Sequence, residues 1–353
     1  MNLKELAKHL NLSQTTVSRA LNGYPEVNKA TRLRVEVAAR EFNYTPNARA
    51  KGLATGRSMS IGHVIPTSSK REMVNPVFGD FITGASEAYV QAGYDLVLTL
   101  VEDGDEERLY RNIRDKGNVD GIIVHSPQMD DSRIALLLDL GLPFVVHGRA
   151  SDITANYSWV DMNNRGAFRR ATGFLAELGH RRIALVNGLE HMDFAYRRRD
   201  GYLAALEAHG LKVDPALLRA GEMTEMLGHA SAQEMLALPD PPTAFLSSSM
   251  MTAIGLRRAI QEAGLQMGRD VSVITHDDEL AYLKNGQTVP IFTATRSSVR
   301  AAGRRAADML LRLIADPGCG PLHSLLEAEL ILGESTGPVP VARPEKTYRQ
   351  GQT

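Results

Sequence analysis

From Ser60 onward the chain repeats one pattern, a short apolar run followed by a longer amphipathic one. The short runs are Ser60–Ile65, Asp95–Thr99, Gly121–Val124, Phe144–Val146, Trp159–Val160, Ile183–Val186, Ala244–Leu246 and Val271–Thr275, and each reads as a strand. The longer runs are Val77–Ala92, Glu106–Lys116, Ser132–Leu140, Asn164–Glu177, Ala195–Ala208, Leu227–Ala237, Thr252–Ala263 and Val299–Leu313, and these read as helices. Strict alternation of this kind predicts an α/β fold with largely parallel sheets. Gly93, Gly264 and the Gly141-Leu142-Pro143 turn suit helix-to-strand connections. One sheet would need about ten strands, so the pattern predicts two lobes. The polar stretch Asp161–Asn164 marks the first crossover between them.

The first sixty residues have a different texture and a different charge. They carry ten Lys or Arg against four Glu, or +6, whereas the whole chain of 353 residues carries −1. A basic head on an acidic body points to a polyanionic partner. Leu3, Leu6, Ala7 and Leu10 recur at helical spacing, and Asn11-Leu12 interrupts them. Ser13 can cap a second helix over Gln14–Leu21, with Val17, Ala20 and Leu21 facing inward and Asn22-Gly23 as its stop. A third helix follows from Asn28 or Thr31, with Leu33, Val35, Val37, Ala38 and Phe42 as its apolar positions. Three short helices, two of them joined by a very short turn, are the plan of a helix-turn-helix. Gln14, Thr15, Ser18 and Arg19 would stand at the groove: Gln can pair with adenine, Arg with guanine, and Ser and Thr with phosphate. A solvated helix in an ordinary bundle is the competing reading.

The stretch LKELAKHLNLSQTTVSRALNG, with VNKATRLRVEVAAREFNYTPNARAKGLATGRS after it, resembles the DNA-binding head of the lactose-repressor/galactose-repressor family. The resemblance implies that Gln14, Thr15 and Arg19 read bases, while Ser13, Thr16, Ser18 and Asn22 lie near the backbone. It also implies a hinge helix at Asn47–Thr55, with Asn47 and Ala50 at the DNA and Leu53 as a minor-groove wedge. Gly52 lowers intrinsic helicity by about 1 kcal/mol relative to Ala, so a hinge that folds only on DNA is physically reasonable. The body is similar to the family's core, which is like that of periplasmic sugar-binding proteins. The implied division is a head at 1–46, a hinge at 47–58, a core at 59–343 and a polar tail at 338–353. Within the core the first lobe would take 59–160 and 293–322, and the second 162–290 and 323–337.

Ligands of parallel α/β lobes lie beyond the carboxyl ends of the strands. Asp161 follows SWV, Asp277 follows SVITH, and Arg198 stands in YRRRDGY. These positions match the family's effector-binding residues, and Asn75–Phe78 (NPVF) matches the first-lobe loop beside the ligand. Carboxylates with an arginine suit sugar hydroxyls; Phe78 and Met223 could add apolar contact. Ordinary explanations stand beside these: Asp277-Asp278 could cap a helix, the arginines at 197–199 could be a solvated face, and Phe78 and Met223 could be core. The chain departs from the family at Ser249-Met250, where many members have Asn-Asp, and at Thr275-His276. Ser249 keeps a hydroxyl there and stays among the expected effector contacts.

Other function classes lack their residues. No GxSxG, HExxH or P-loop is present, and the lone Cys319 has no evident histidine partner. The expectation is therefore no enzyme, no metal and no cofactor. With no signal peptide and no membrane-length apolar run, the chain is expected in the cytoplasm. The resemblance implies a homodimer on double-stranded, palindromic operator DNA. It would repress carbohydrate-uptake or catabolic genes until a mono- or disaccharide releases it. A ligand-dependent activator or corepressed regulator is the alternative, and a sugar-binding protein or an enzyme the remaining one.

Overall fold

The head folds as α1 (Leu3–Leu10), α2 (Gln14–Leu21) and α3 (Lys29–Glu41). Asn2 and Glu5 form a reciprocal capping box at 2.9 Å in both directions, which starts α1 at Leu3. Asn11 adopts a left-handed φ of 54° and ends it. Ser13 then accepts the Thr16 N–H at 3.0 Å and starts α2 after a minimal turn. Leu6, Leu10, Val17, Ala20, Val35 and Ala38 fill the small core. Leu33 and Val37, two of the apolar positions of the expected third helix, are exposed. Each stands two residues from the buried Val35, which places it across the helix, and Ala39 takes the inner place instead.

The computed structural model describes residues 1–44, 57–66, 75–102, 104–277 and 279–340. Residues 47–56 of the expected hinge, including Asn47, Ala50 and Leu53, therefore lie outside the described residues, as do Asp278 and 341–353 of the tail.

In the body β1 (Ser60–Pro66), α4 (Pro76–Ala92), β2 (Asp95–Val101), α5 (Glu106–Lys116), β3 (Gly121–His125), α6 (Ser132–Leu140), β4 (Phe144–His147) and β5 (Trp159–Met162) alternate as expected. Then come α7 (Asn164–Glu177), β6 (Ile183–Asn187), α8 (Asp193–Ala208), β7 (Leu218–Ala220), α9 (Glu225–Leu236), β8 (Ala244–Ser247), α10 (Met250–Glu262) and β9 (Ser272–His276). The chain closes with β10 (Thr293–Arg296), α11 (Val299–Ala315), β11 (His323–Leu326) and β12 (Glu329–Ile331). Two six-stranded sheets result, ordered β11-β5-β4-β3-β1-β2 and β12-β10-β9-β8-β6-β7. The first is wholly parallel; in the second only β12 runs antiparallel, against β10. Among the described residues no helix is long and apolar enough to cross a membrane.

The last strands fall on the other side of the division drawn from the sequence. β10, placed in the first lobe by the 293–322 boundary, pairs with β9 in the second sheet. β11, placed in the second lobe, pairs with β5 in the first. The physical reason is register: Thr293 continues the parallel ladder of Ile274, so the chain leaves the second lobe only after Arg296. It leaves the first again between Leu326 and Glu329.

Helices cover both faces of each sheet, and glycine sets how close some approach. A Cβ on Gly84 of α4 would fall on the Arg300 carbonyl of α11, and one on Gly303 of α11 on the Phe81 carbonyl of α4. The two backbones therefore touch directly. Phe81, Ala85, Tyr89, Ala302 and Leu310 pack around that contact and fix the first lobe's helix layer.

Candidate functional site

In α2 the cap consumes part of the polar chemistry. The Ser13 and Thr16 hydroxyls bond each other at 2.8 Å, and Asn22 Nδ2 donates to the Ser18 carbonyl at 2.9 Å. Gln14 and Thr15 remain exposed at the N-terminal end, with Ser18 half-buried one turn on. Arg19 is exposed too, and its nearest carboxylate is Glu26 at 4.0 Å, too far for a hydrogen bond. The face left available is thus Gln14, Thr15, Ser18 and Arg19, an arrangement suited to a groove of base edges and phosphates.

In the body the carboxyl ends of β3, β4 and β5 meet those of β8 and β9 across one cavity of about 160 Å³. Asn75, Phe78, Asp161, Arg198, Met223, Ser249 and Asp277 all line it. Arg198 is held from every side. Its Nε donates to Asn164 Oδ1 at 2.7 Å, and its Nη1 to the Ser248 carbonyl at 2.8 Å. The rings of Phe194 and Phe168 lie 4.8 and 5.3 Å from its guanidinium carbon. Burial lowers its pKa to about 10, against the pull of Asp277 and Asp161, so it stays charged at neutral pH. Asp161 accepts from Arg149 Nε at 2.7 Å. Burial raises its pKa, and the Arg149 charge opposes the rise.

Asp277 combines charge with backbone strain. Its φ is +54°, and its carboxylate accepts from the Ser297 hydroxyl, lies 3.1 Å from His276 Nε2 and stands 3.8 Å from Arg198 Nη2. Ser126, at the end of β3 in the other lobe, also has a positive φ, of 46°. Non-glycine residues in this region cluster where the surroundings hold them for a purpose. Asn75 caps α4 through Val77 N at 3.1 Å, and Phe78 packs edge-on against His125 at 5.2 Å. Ser249 spends its hydroxyl on the Thr252 amide and hydroxyl at 3.2 and 3.0 Å as the cap of α10. Met223 lies with its sulfur 3.9 Å from Arg198 Nη1.

The sequence reading missed the histidines. His125 ends β3, His147 ends β4, and both line the cavity beside Phe81, Phe194 and Ser248. The signal that could have found them is position, the residue that directly follows a predicted parallel strand. Among the described residues no group of three His, Cys, Asp or Glu could hold a metal ion.

A DNA-reading head and a two-lobed α/β body around a cavity with an arginine and two carboxylates in its wall define the class, and the comparisons agree. Residues 2–47 match the lacI family of bacterial regulatory proteins, and residues 172–336 match a periplasmic binding protein-like domain. The HTH-type transcriptional regulator AglR of Rhizobium meliloti (strain 1021) is 47% identical over 98% of this chain and 96% of its own length. A solved transcriptional regulator CelR–cellobiose complex is 29% identical with a TM-score of 0.71, over 94% of this chain and 99% of that one. The lac repressor dimer bound to operator and the anti-inducer ONPF is 27% identical with a TM-score of 0.82, over 96% and 99%. The chain belongs to the LacI family of bacterial transcriptional regulators. Its members are DNA-binding regulators, not enzymes.

Proposed function

We propose that this regulator is a homodimeric repressor of carbohydrate uptake and catabolic genes, released from a palindromic operator by a mono- or disaccharide in the cavity between its lobes. One observation carries the reading. A pinned guanidinium and two carboxylates converge with the rings of Phe78 and Phe194 where the two sheets' carboxyl edges meet. Directional donors and acceptors beside apolar side chains suit a sugar ring, polar at its rim and apolar on its faces. The cellobiose held by the similar CelR supports the same ligand class.

Two-fold symmetry of the protein would match two-fold symmetry of the operator. Gln14, Thr15 and Arg19 are our choice for base contacts, with Ser13, Thr16, Ser18 and Asn22 at the backbone. Asn47, Ala50 and Leu53 are our choice for the hinge contacts. The edge strand β2 exposes Leu98 and Leu100, and the neighbouring α4 exposes Val90. Edge strands are normally guarded, and a second copy would cover this one. A protein that reads chromosomal operators in a bacterium acts in the cytoplasm.

The lobes touch directly. The Ser151 N–H donates to Asp193 Oδ1 at 2.8 Å, Asp193 N–H donates to the Pro127 carbonyl at 3.1 Å, and Ala281 N–H donates to Asp80 Oδ2 at 2.8 Å. A ligand acts on DNA only as far as it prefers one setting of these contacts over another. The test is selection of genomic fragments by the purified protein, sequenced with and without a panel of mono- and disaccharides. A palindrome beside sugar-transport or glycosidase genes, lost with one sugar, is expected. A site bound only with sugar present would replace release by corepression. No enriched site would remove the DNA-reading assignment.

A further inference from the structure

The first-lobe wall of the cavity carries two imidazoles. His125 and His147 are register partners at the ends of β3 and β4. Behind them His63, on β1, is completely buried. Its Nδ1 lies 2.9 Å from His125 Nε2 and its Nε2 3.0 Å from the Tyr89 hydroxyl. This chain consumes both nitrogens of His63 and one of His125, and it fixes the plane of the His125 ring. The His147 ring stacks on Phe81, with centroids 4.2 Å apart and planes 28° from parallel. Stacking fixes the face and leaves the edge, with both nitrogens, to the cavity. No described residue hydrogen-bonds that edge.

The carboxylates of the cavity are each paired. Asp161 is answered by Arg149, and Asp277 by Arg198, with His276 Nε2 3.1 Å from the same carboxylate. Burial keeps His63 and His147 neutral, at pKa values of about 3 and about 4, and holds His125 well below its ordinary value. Asp277 pulls His147 upward, but burial outweighs it. A charged ligand would leave one buried charge without an answer, which is unfavourable in a desolvated site.

We propose that the edge of His147 hydrogen-bonds the effector directly, with His125 as the positioned ring beside it, and that the effector is an uncharged polyol, a neutral saccharide rather than a uronate, a phosphate ester or an amino sugar. A neutral imidazole offers one N–H donor and one bare nitrogen acceptor in a single plane, and adjacent sugar hydroxyls accept the first and donate to the second. The inference rests on the sugar reading of the cavity and narrows it.

The experiment is calorimetric titration of the full chain near neutral pH. The probes are glucose, galactose, maltose, sucrose, cellobiose and melibiose, with glucuronate, galacturonate, glucose 6-phosphate and glucosamine as charged counterparts. His147→Phe keeps the stack on Phe81 and removes the hydrogen bonds; His147→Gln restores a donor and an acceptor. Operator binding without sugar, measured on the same samples, reports that each variant folds. We expect a neutral sugar to bind, His147→Phe to weaken it by about tenfold or more, and His147→Gln to recover part of the loss. Tighter binding of a charged counterpart would overturn the neutrality of the ligand and leave the sugar reading standing. Unchanged affinity in His147→Phe would overturn the contact. No binding by any member of the panel would overturn the sugar reading itself, and this inference with it.

Discussion

At the scale of single residues, the cavity's chemistry comes from groups that are held rather than merely present. Asp277 is the sharpest case, because its φ of +54° and its charge serve different ends. Asparagine tolerates the left-handed region at least as well as aspartate, whereas alanine meets a cost of about 1–2 kcal/mol there. Asp277→Asn should therefore fold with a midpoint near that of the unaltered protein and lose effector binding by calorimetry. Asp277→Ala should lose binding and stability together. A normal effector response in Asp277→Asn would take the carboxylate out of the site. The histidines set a pH dependence whose sign is fixed by burial. Unfolded histidine titrates near 6.5, and His63 and His147 titrate in the folded chain at about 3 and about 4. Between those values the unfolded chain binds more protons, so the stability they confer is complete above about pH 6.5 and is lost as pH falls. Each contributes a slope approaching about 1.4 kcal/mol per pH unit in that window. Asp161, raised by burial, acts with the opposite sign from the lower carboxylate range. The urea midpoint should drop between about pH 7.5 and pH 5.5, and His147→Phe should flatten that drop by about one proton's worth. An equal drop in the variant would show that His147 does not titrate this way.

At the scale of elements, α2 presents a mixed face of small polar groups and one long cation. Arg19→Ala should cost about 1–3 kcal/mol at the operator if the guanidinium reads a guanine, and much less on random DNA. Fluorescence anisotropy on both DNAs separates the cases, and equal losses would make Arg19 a phosphate contact. How far the elements were legible follows from how local their signals are. The eight strands read from the sequence are all present, because each is a short apolar run between turn residues. The strands β7, β10, β11 and β12 were not read. They span three or four residues each, and sequences such as TATR and HSLL carry no period of their own. Sheet membership alone defines them, which is also why the lobe boundaries shifted at β10 and β11. Of the residues expected around the ligand, Asp161 and Asp277 were legible as carboxylates that follow apolar runs, whereas Arg198, inside α8, and Asn75 and Phe78, at the start of α4, were picked out through the family resemblance. His125 and His147 could have been found by position, one residue past the strands read from the sequence, but their cluster with His63 exists only through the parallel pairing of β1, β3 and β4.

At the scale of the whole molecule, a DNA-reading head and a ligand cavity must communicate through the two lobes. Among the described residues the joints between these lobes include polar ones, Ser151 and Pro127 on Asp193 and Asp80 on Ala281, beside Val77, which packs on the apolar cores of both lobes. Polar joints of this kind exchange partners with water at little net cost, about 0.5–1.5 kcal/mol for a typical hydrogen bond. Two lobe settings of similar energy are therefore physically accessible, and a ligand needs only a modest preference to choose between them. The coupling it creates is reciprocal by thermodynamic necessity. If a sugar weakens operator binding by some factor, operator must weaken sugar binding by the same factor, provided that the assembly state stays fixed. Titrating the sugar into free protein and into protein saturated with operator measures one factor; titrating operator with and without sugar measures the other. Equal factors, with weaker sugar binding on the operator complex, are the outcome expected of a released repressor. Tighter sugar binding on the complex would reverse the sign and make the ligand a corepressor. Unequal factors would place the switch in assembly, with the dimer itself forming or parting as the ligand binds.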